Sequence, residues 1–181
     1  MKATGIVRRI DDLGRIVIPK EIRRTMRIRE GDPMEIFTSR EGEILLKKYS
    51  PVGELSEFAG SLAESLSQVL GELVCITDRD YVIAAAGAGK KAYDGKPLDA
   101  QVQVAIDKRS NVVQTDKETY IKITLDDAKD YARQAIATIL ANGDSIGAVI
   151  VLSRDITRNP DDLIMQVTKM AAVFLGRHLE Q

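Results

Sequence analysis

The stretch TGIVRRIDDLGRIVIPKEIRRT, residues 4–25, governs how this chain is read. β-Branched residues dominate residues 3–10, Asp11-Asp12-Leu13-Gly14 is a turn-like cluster, and residues 15–18 resume as a strand. Pro19 suits the first position of a helix, because its φ is already helical and its missing N–H is not needed there. Residues 20–27 continue that helix until Gly31-Asp32-Pro33 stops it. Residues 34–39 and 43–49 predict two further strands around Arg40-Glu41-Gly42, with Gly42 supplying the positive φ of a short hairpin loop. The order is β-β-α-β-β.

Charge is concentrated in the same stretch. Residues 1–50 hold twelve Lys and Arg against eight Asp and Glu, a balance of +4, whereas residues 51–181 balance at −5. A basic module joined to an acidic remainder points to a polyanionic partner for the first part alone. On a helical wheel Lys20, Arg23, Arg24 and Arg27 fall within an arc of about 100°, with Ile22 and Met26 opposite. Arg8 and Arg9 end the first strand and Arg15 opens the second, just across the turn. Such a set can neutralise phosphates and release their counterions. Arg also carries the planar fork that bridges a guanine edge. The plainer alternative is a solvated charged face, with Glu21 and Asp12 pairing with some of the arginines.

Four short strands and one two-turn helix make a thin core, and a domain of this size is marginal alone. Its strand edges also need covering. Pairing with a second copy meets both needs and doubles the cations facing DNA.

Residues 4–25, with Gly31-Asp32 and Lys47-Lys48-Tyr49 after them, closely resemble the DNA-binding domain of AbrB-type transition-state regulators. The resemblance implies a swapped-hairpin β-barrel in which two chains interleave their strands, and DNA contact through Arg8, Arg15, Arg23 and Arg24. Arg9 stands where the family commonly has Lys, and Lys20 where the family varies. Over its full length the chain resembles sporulation regulators in which this domain precedes a GAF-like domain. That implies a regulator of forespore genes, acting as activator or repressor, in a bacterial cytoplasm close to the nucleoid.

The remainder reads as an α+β domain. Ser50-Pro51-Val52-Gly53 looks like a linker, placing the boundaries at 1–50, 51–54 and 55–181. Apolar residues from Leu55 to Leu70 recur every three or four positions, the mark of an amphipathic helix ending at Gly71. Residues 73–77 and 81–86 read as strands, 98–108 as a helix, 111–115 as a strand, and 132–140 with 146–153 as a hairpin. Residues 161–178 form a closing helix. Helices at both ends of an antiparallel sheet fit the GAF-like order. The two long amphipathic helices offer surfaces for pairing these domains, so that different partners at the two ends make a homotetramer. The fold leaves room for an unidentified small-molecule effector.

Enzyme chemistry has little support. The run Ala84-Ala85-Ala86-Gly87-Ala88-Gly89 before Lys90-Lys91 lacks the spacing and the Lys-Ser/Thr of a P-loop. Cys75 sits in an apolar strand and reads as a small buried hydrophobe. His178, the single histidine, lies where a positive side chain caps a helix end. Asp126, Asp127 and Asp130 read as a solvated loop. No multi-His metal site or Cys–His nucleophile is apparent, so no cofactor is expected. No apolar run reaches membrane-spanning length, and one Cys cannot form a disulfide within a chain. The rival reading is an antitoxin-like or scaffold protein using the barrel to bind protein. A folded domain behind the barrel weighs against it.

Overall fold

The structure, a computed structural model, describes residues 5–116, 118–127 and 131–180. It divides into two compact units, Met1–Tyr49 and Ser50–Gln181. Its mixture of helices with antiparallel strands is the α+β class expected from the sequence.

The first unit contains α1 (Lys20–Thr25), β1 (Met34–Thr38) and β2 (Ile44–Lys48). β1 and β2 pair antiparallel, from Met34 opposite Lys48 to Thr38 opposite Ile44, and make a two-stranded sheet. Residues 5–10 and 15–18, expected as strands, join no sheet. Their β-branched residues favour an extended chain, but a ladder needs a neighbour with free N–H and C=O groups, and this copy offers them none. What orders the segment is its turn, closed by Asp11 N–H to Arg15 O and Gly14 N–H to Asp11 O, both 3.0 Å. Gly14 takes the left-handed conformation (φ 74°) that this closure requires.

The helix is shorter than the charge pattern suggested. It ends at Thr25, and Arg27, placed on its basic face by the wheel, lies beyond it with φ 53°. The backbone there forms a Schellman cap, with Ile28 N–H to Arg23 O at 2.8 Å and Arg27 N–H to Arg24 O at 3.3 Å.

The second unit begins earlier than expected. Residues 51–54, read as a linker, instead form a helical turn, α2 (Pro51–Glu54), with Val52 fully buried. Ser50 Oγ accepts from Gly53 N–H at 3.0 Å and donates to Asp78 at 2.8 Å. Serine at the cap and proline at the first position start a helix that a reading of the pair as loop punctuation misses. After α2 come α3 (Ser56–Leu70), β3 (Leu73–Thr77), β4 (Val82–Ala86), α4 (Ala100–Asp107), β5 (Asn111–Gln114), β6 (Arg133–Ala141), β7 (Asp144–Ser153) and α5 (Asp161–Leu179).

The five strands form one antiparallel sheet in the order β4-β3-β7-β6-β5. Side chains alternate across it. Val74, Ile76, Ala135, Ala137, Val149 and Val151 face α3 and α5, whereas Cys75, Ile136, Ala148, Ile150 and Leu152 face α4 and three tyrosines. Each buried Ile or Val contributes about 1.5–3 kcal/mol relative to exposure. α5 lies directly on β6, because a side-chain carbon at Gly176 would collide with the carbonyl of Leu140. No described helix is long and apolar enough to cross a membrane.

Candidate nucleic-acid interface

The turn and α1 display the predicted cations. Arg8, Arg9, Arg15, Lys20, Arg23 and Arg24 are all exposed, and Arg27 is half-buried. Among the described residues no carboxylate forms an ion pair with Arg8, Arg9, Lys20, Arg23 or Arg24, so Glu21 and Asp12 do not neutralise them. Arg15 does have a partner, Asp11, with Nε to Oδ2 at 2.8 Å. The same carboxylate accepts from the N–H of Leu13 at 3.1 Å and of Arg15 at 2.8 Å. The Arg15 contacts, backbone first, hold the Asp11 carboxyl below its usual range.

On its other side α1 turns toward an apolar groove of about 220 Å³, lined by Ile6, Arg8, Ile16, Ile18, Ile22 and Leu46 among others. The helix is therefore two-faced as the wheel implied, with Lys20, Arg23 and Arg24 on the exposed side and Ile22 in the groove. The end of the helix is tied down by Lys48, which donates to Arg27 O at 3.1 Å and pairs with Asp32 at 2.8 Å. Asp32 also accepts from Arg29 N–H at 2.7 Å. Burial acts to raise its pKa, but the Lys48 hydrogen bond and the Arg29 N–H together bring it below the ordinary value. The sequence reading gave Lys48 and Asp32 no such part. A lysine in a strand and an aspartate in a Gly-Asp-Pro turn show no pairing signal until the chain folds.

A second region collects polar groups that the sequence reading dispersed. Tyr93, Tyr120 and Tyr131 are buried beneath the sheet face opposite α3 and α5. Asp127, expected in a solvated loop, instead accepts from Tyr93 Oη at 2.9 Å, Tyr120 Oη at 3.4 Å and Ile123 N–H at 2.9 Å. Burial, then the neighbouring charges, push the Tyr93 and Tyr120 phenols far up, so both stay protonated donors. Asp126 is exposed, as a solvated loop predicts, and Asp130 lies outside the described residues. Arg154 stacks over the Tyr131 ring at 5.2 Å. Cys75 is fully buried and its thiol is pushed up by desolvation first, which leaves it a hydrophobe and no nucleophile. His178 lies in the last turn of α5, where the sequence placed it, and stacks on Phe58 with centroids 4.7 Å apart. No described cluster of His, Cys, Asp and Glu could hold a metal ion.

Comparison with known proteins sorts these two regions. Residues 54–180 match the family model for the stage V sporulation protein T C-terminal domain, described as a transcription factor. Stage V sporulation protein T of Bacillus subtilis (strain 168) is 49% identical over 181 residues, spanning all of both chains. The chain belongs to this family. Transition state regulatory protein AbrB of the same organism is 44% identical over 87 residues, 40% of this chain and 90% of that one. Residues 7–54 also match the model for MazE, a bacterial antitoxin of antidote–toxin recognition. The second unit shares its fold with a type II free methionine-R-sulfoxide reductase from Thermoplasma acidophilum (TM-score 0.52, 16% identity, 69% of this chain and 94% of that one). At that identity the likeness concerns the fold alone, and one fold can serve an enzyme or a regulator equally well.

Proposed function

We propose that this chain is a DNA-binding transcription regulator of sporulation genes whose first unit, residues 1–49, grips double-stranded DNA as a homodimer. The observation that carries the dimer is that residues 5–49 bury none of their large apolar side chains within one copy. Val7 is 89% exposed, Val17 71% and Ile36 66%. The groove beside α1 and the two unpaired extended segments supply the apolar surface and the backbone edges that a second copy would cover, as in a swapped-hairpin barrel. Two copies double the exposed cations. Arg8, Arg15, Arg23 and Arg24 are assigned to base and phosphate contacts, Arg9 and Lys20 to phosphates alone. Arg27, half-buried at the helix cap, has the smallest share.

The unit from Ser50 onward acts as the regulatory and oligomerising domain, completing a homotetramer through α3 and α5. Met170, Val173 and Phe174 are exposed on α5, an apolar stripe suited to that pairing. It senses an unidentified small-molecule effector, carries no cofactor and catalyses no reaction. The protein works in the cytoplasm, on the forespore nucleoid, as activator or repressor.

Replacing Arg23 and Arg24 together with Ala abolishes binding to duplex DNA in a gel-shift assay and leaves thermal unfolding unchanged. Wild-type affinity falls with salt at a log–log slope of about −0.9 per phosphate neutralised. A flat salt response, or undiminished binding by the double variant, defeats the proposal. The match to an antitoxin model favours a second reading, in which the first unit binds protein. A stoichiometric protein partner that survives nuclease treatment and is displaced by duplex DNA at no concentration supports it instead.

A further inference from the structure

The Asp11 carboxylate holds the Arg15 guanidinium in a specific way. Oδ2 takes the Nε–H at 2.8 Å, while Oδ1 takes the two backbone N–H groups that shape the turn. A guanidinium has five N–H donors. With Nε occupied, the edge formed by the two Nη atoms has no partner among the described residues, and the side chain stays 69% exposed. That edge is the fork that bridges O6 and N7 of guanine. An arginine free of such a contact samples many rotamers and loses that freedom on binding. Held at Nε, it loses less. The carboxylate also has an energetic consequence away from any guanine. Beside a phosphate backbone it is repulsive, and only an arginine engaged with a base offsets it.

We propose that Asp11 is a positioning residue that sets sequence specificity, presenting the Nη fork of Arg15 to a guanine and penalising duplexes that offer none. This rests on the DNA-binding reading above. The repulsion acts alike on every duplex, whereas the orientation favours only a duplex that offers a guanine, and that contrast makes the proposal testable.

The test uses the full chain and two duplexes of equal length, one selected by the wild-type protein from a randomised pool and one of scrambled sequence. Asp11→Asn keeps an oxygen for the turn N–H groups and removes the charge. It is expected to bind the selected duplex about tenfold more weakly, the loss of one well-oriented bidentate contact. Its affinity for the scrambled duplex should be unchanged or higher. Arg15→Lys, which keeps the charge and lacks the fork, should lose the same preference. Adding Asp11→Asn to Arg15→Lys should then cost the selected duplex nothing further. An equal change on both duplexes, leaving the ratio intact, overturns the proposal and makes Asp11 a general charge or a turn residue. So does a double variant that loses the sum of the single effects. A wild-type protein that selects no duplex overturns the DNA-binding reading itself, which the variants' ratio does not.

Discussion

The hairpins β1–β2 and β6–β7 are built alike and end differently. Both are antiparallel pairs of β-branched and aliphatic residues closed by a short turn. β6–β7 has Ile136, Ile139, Ile150 and Leu152 almost wholly buried, because α3 and α5 cover one face and α4 with the tyrosines covers the other. β1–β2 leaves Ile36, Phe37, Ile44 and Leu45 exposed on both faces. An isolated hairpin is at best marginally stable in water. A strand's own sequence thus specifies its conformation, while what covers it is decided elsewhere, in one case within the chain and in the other, under the dimer proposed above, by a second copy.

The sharpest way to break this contrast is to damage the self-sufficient unit. Leu175 on α5 is fully buried against the sheet. Leu175→Ala is expected to destabilise the second unit by about 2–5 kcal/mol, with the lost transfer energy compounded by the cavity left behind. Thermal unfolding followed by circular dichroism reads the loss. Hydrogen exchange in β1 and β2 should stay as it was. Asp127→Ala strikes the same unit through its polar interior. It removes the acceptor of the Tyr93 hydroxyl, in a residue about 4% exposed, and weakens the network that Tyr93 shares with Tyr120. A buried donor left unpaired costs about 1–3 kcal/mol. Tyr93→Phe in the Asp127→Ala background should recover part of that, and no recovery would show that Asp127 holds its loop by other means.

The contrast also explains which features were legible in the sequence. The second unit's strands and helices stand out as uninterrupted apolar runs and three-four spacing, and since their partners lie in the same chain, pattern and structure agree. Residues 5–10 and 15–18 have the same pattern but join no sheet, so the pattern made an extended conformation readable and left its pairing open. The arginine face was legible because charge on one side of a short helix is a local property. Arg133 was missed. It is 1% exposed, and its guanidinium joins Asp161 at 2.8 Å and the Asn159 carbonyl at 2.6 Å. Those contacts fasten the segment before α5 to the start of β6. Asp127 was missed for a related reason. Acidic residues in a loop usually face water, and the three tyrosines whose polar tips need partners are far apart in sequence.

Dilution sharpens the contrast at the next level. If the first unit is completed by a second copy, its unfolding must depend on concentration, with about 1.4 kcal/mol of apparent stability lost per tenfold dilution. Urea unfolding of the full chain should then show an early transition, reported by exchange in β1 and β2, that moves to lower urea as the protein is diluted. A transition that stays fixed over a hundredfold range would mean that each copy completes this unit alone.

The smallest effect concerns Arg27, where charge and backbone geometry make opposite demands. As a cation it belongs to the basic stretch, yet its φ of 53° places it in the left-handed region, which costs a non-glycine residue about 1–2 kcal/mol. Glycine occupies this Schellman position in most helices that end so. Arg27→Gly should therefore stabilise the first unit by up to about 1 kcal/mol, since the relief of strain is partly offset by the greater freedom of glycine in the unfolded chain. The Lys48 bond to the Arg27 carbonyl is a backbone contact and survives the change. DNA affinity should fall far less than for Arg24→Ala, whose side chain is exposed on the helix itself. A loss of affinity as large as that of Arg24→Ala would show that the half-buried Arg27 side chain turns outward to DNA, and the basic face would then run past the end of α1.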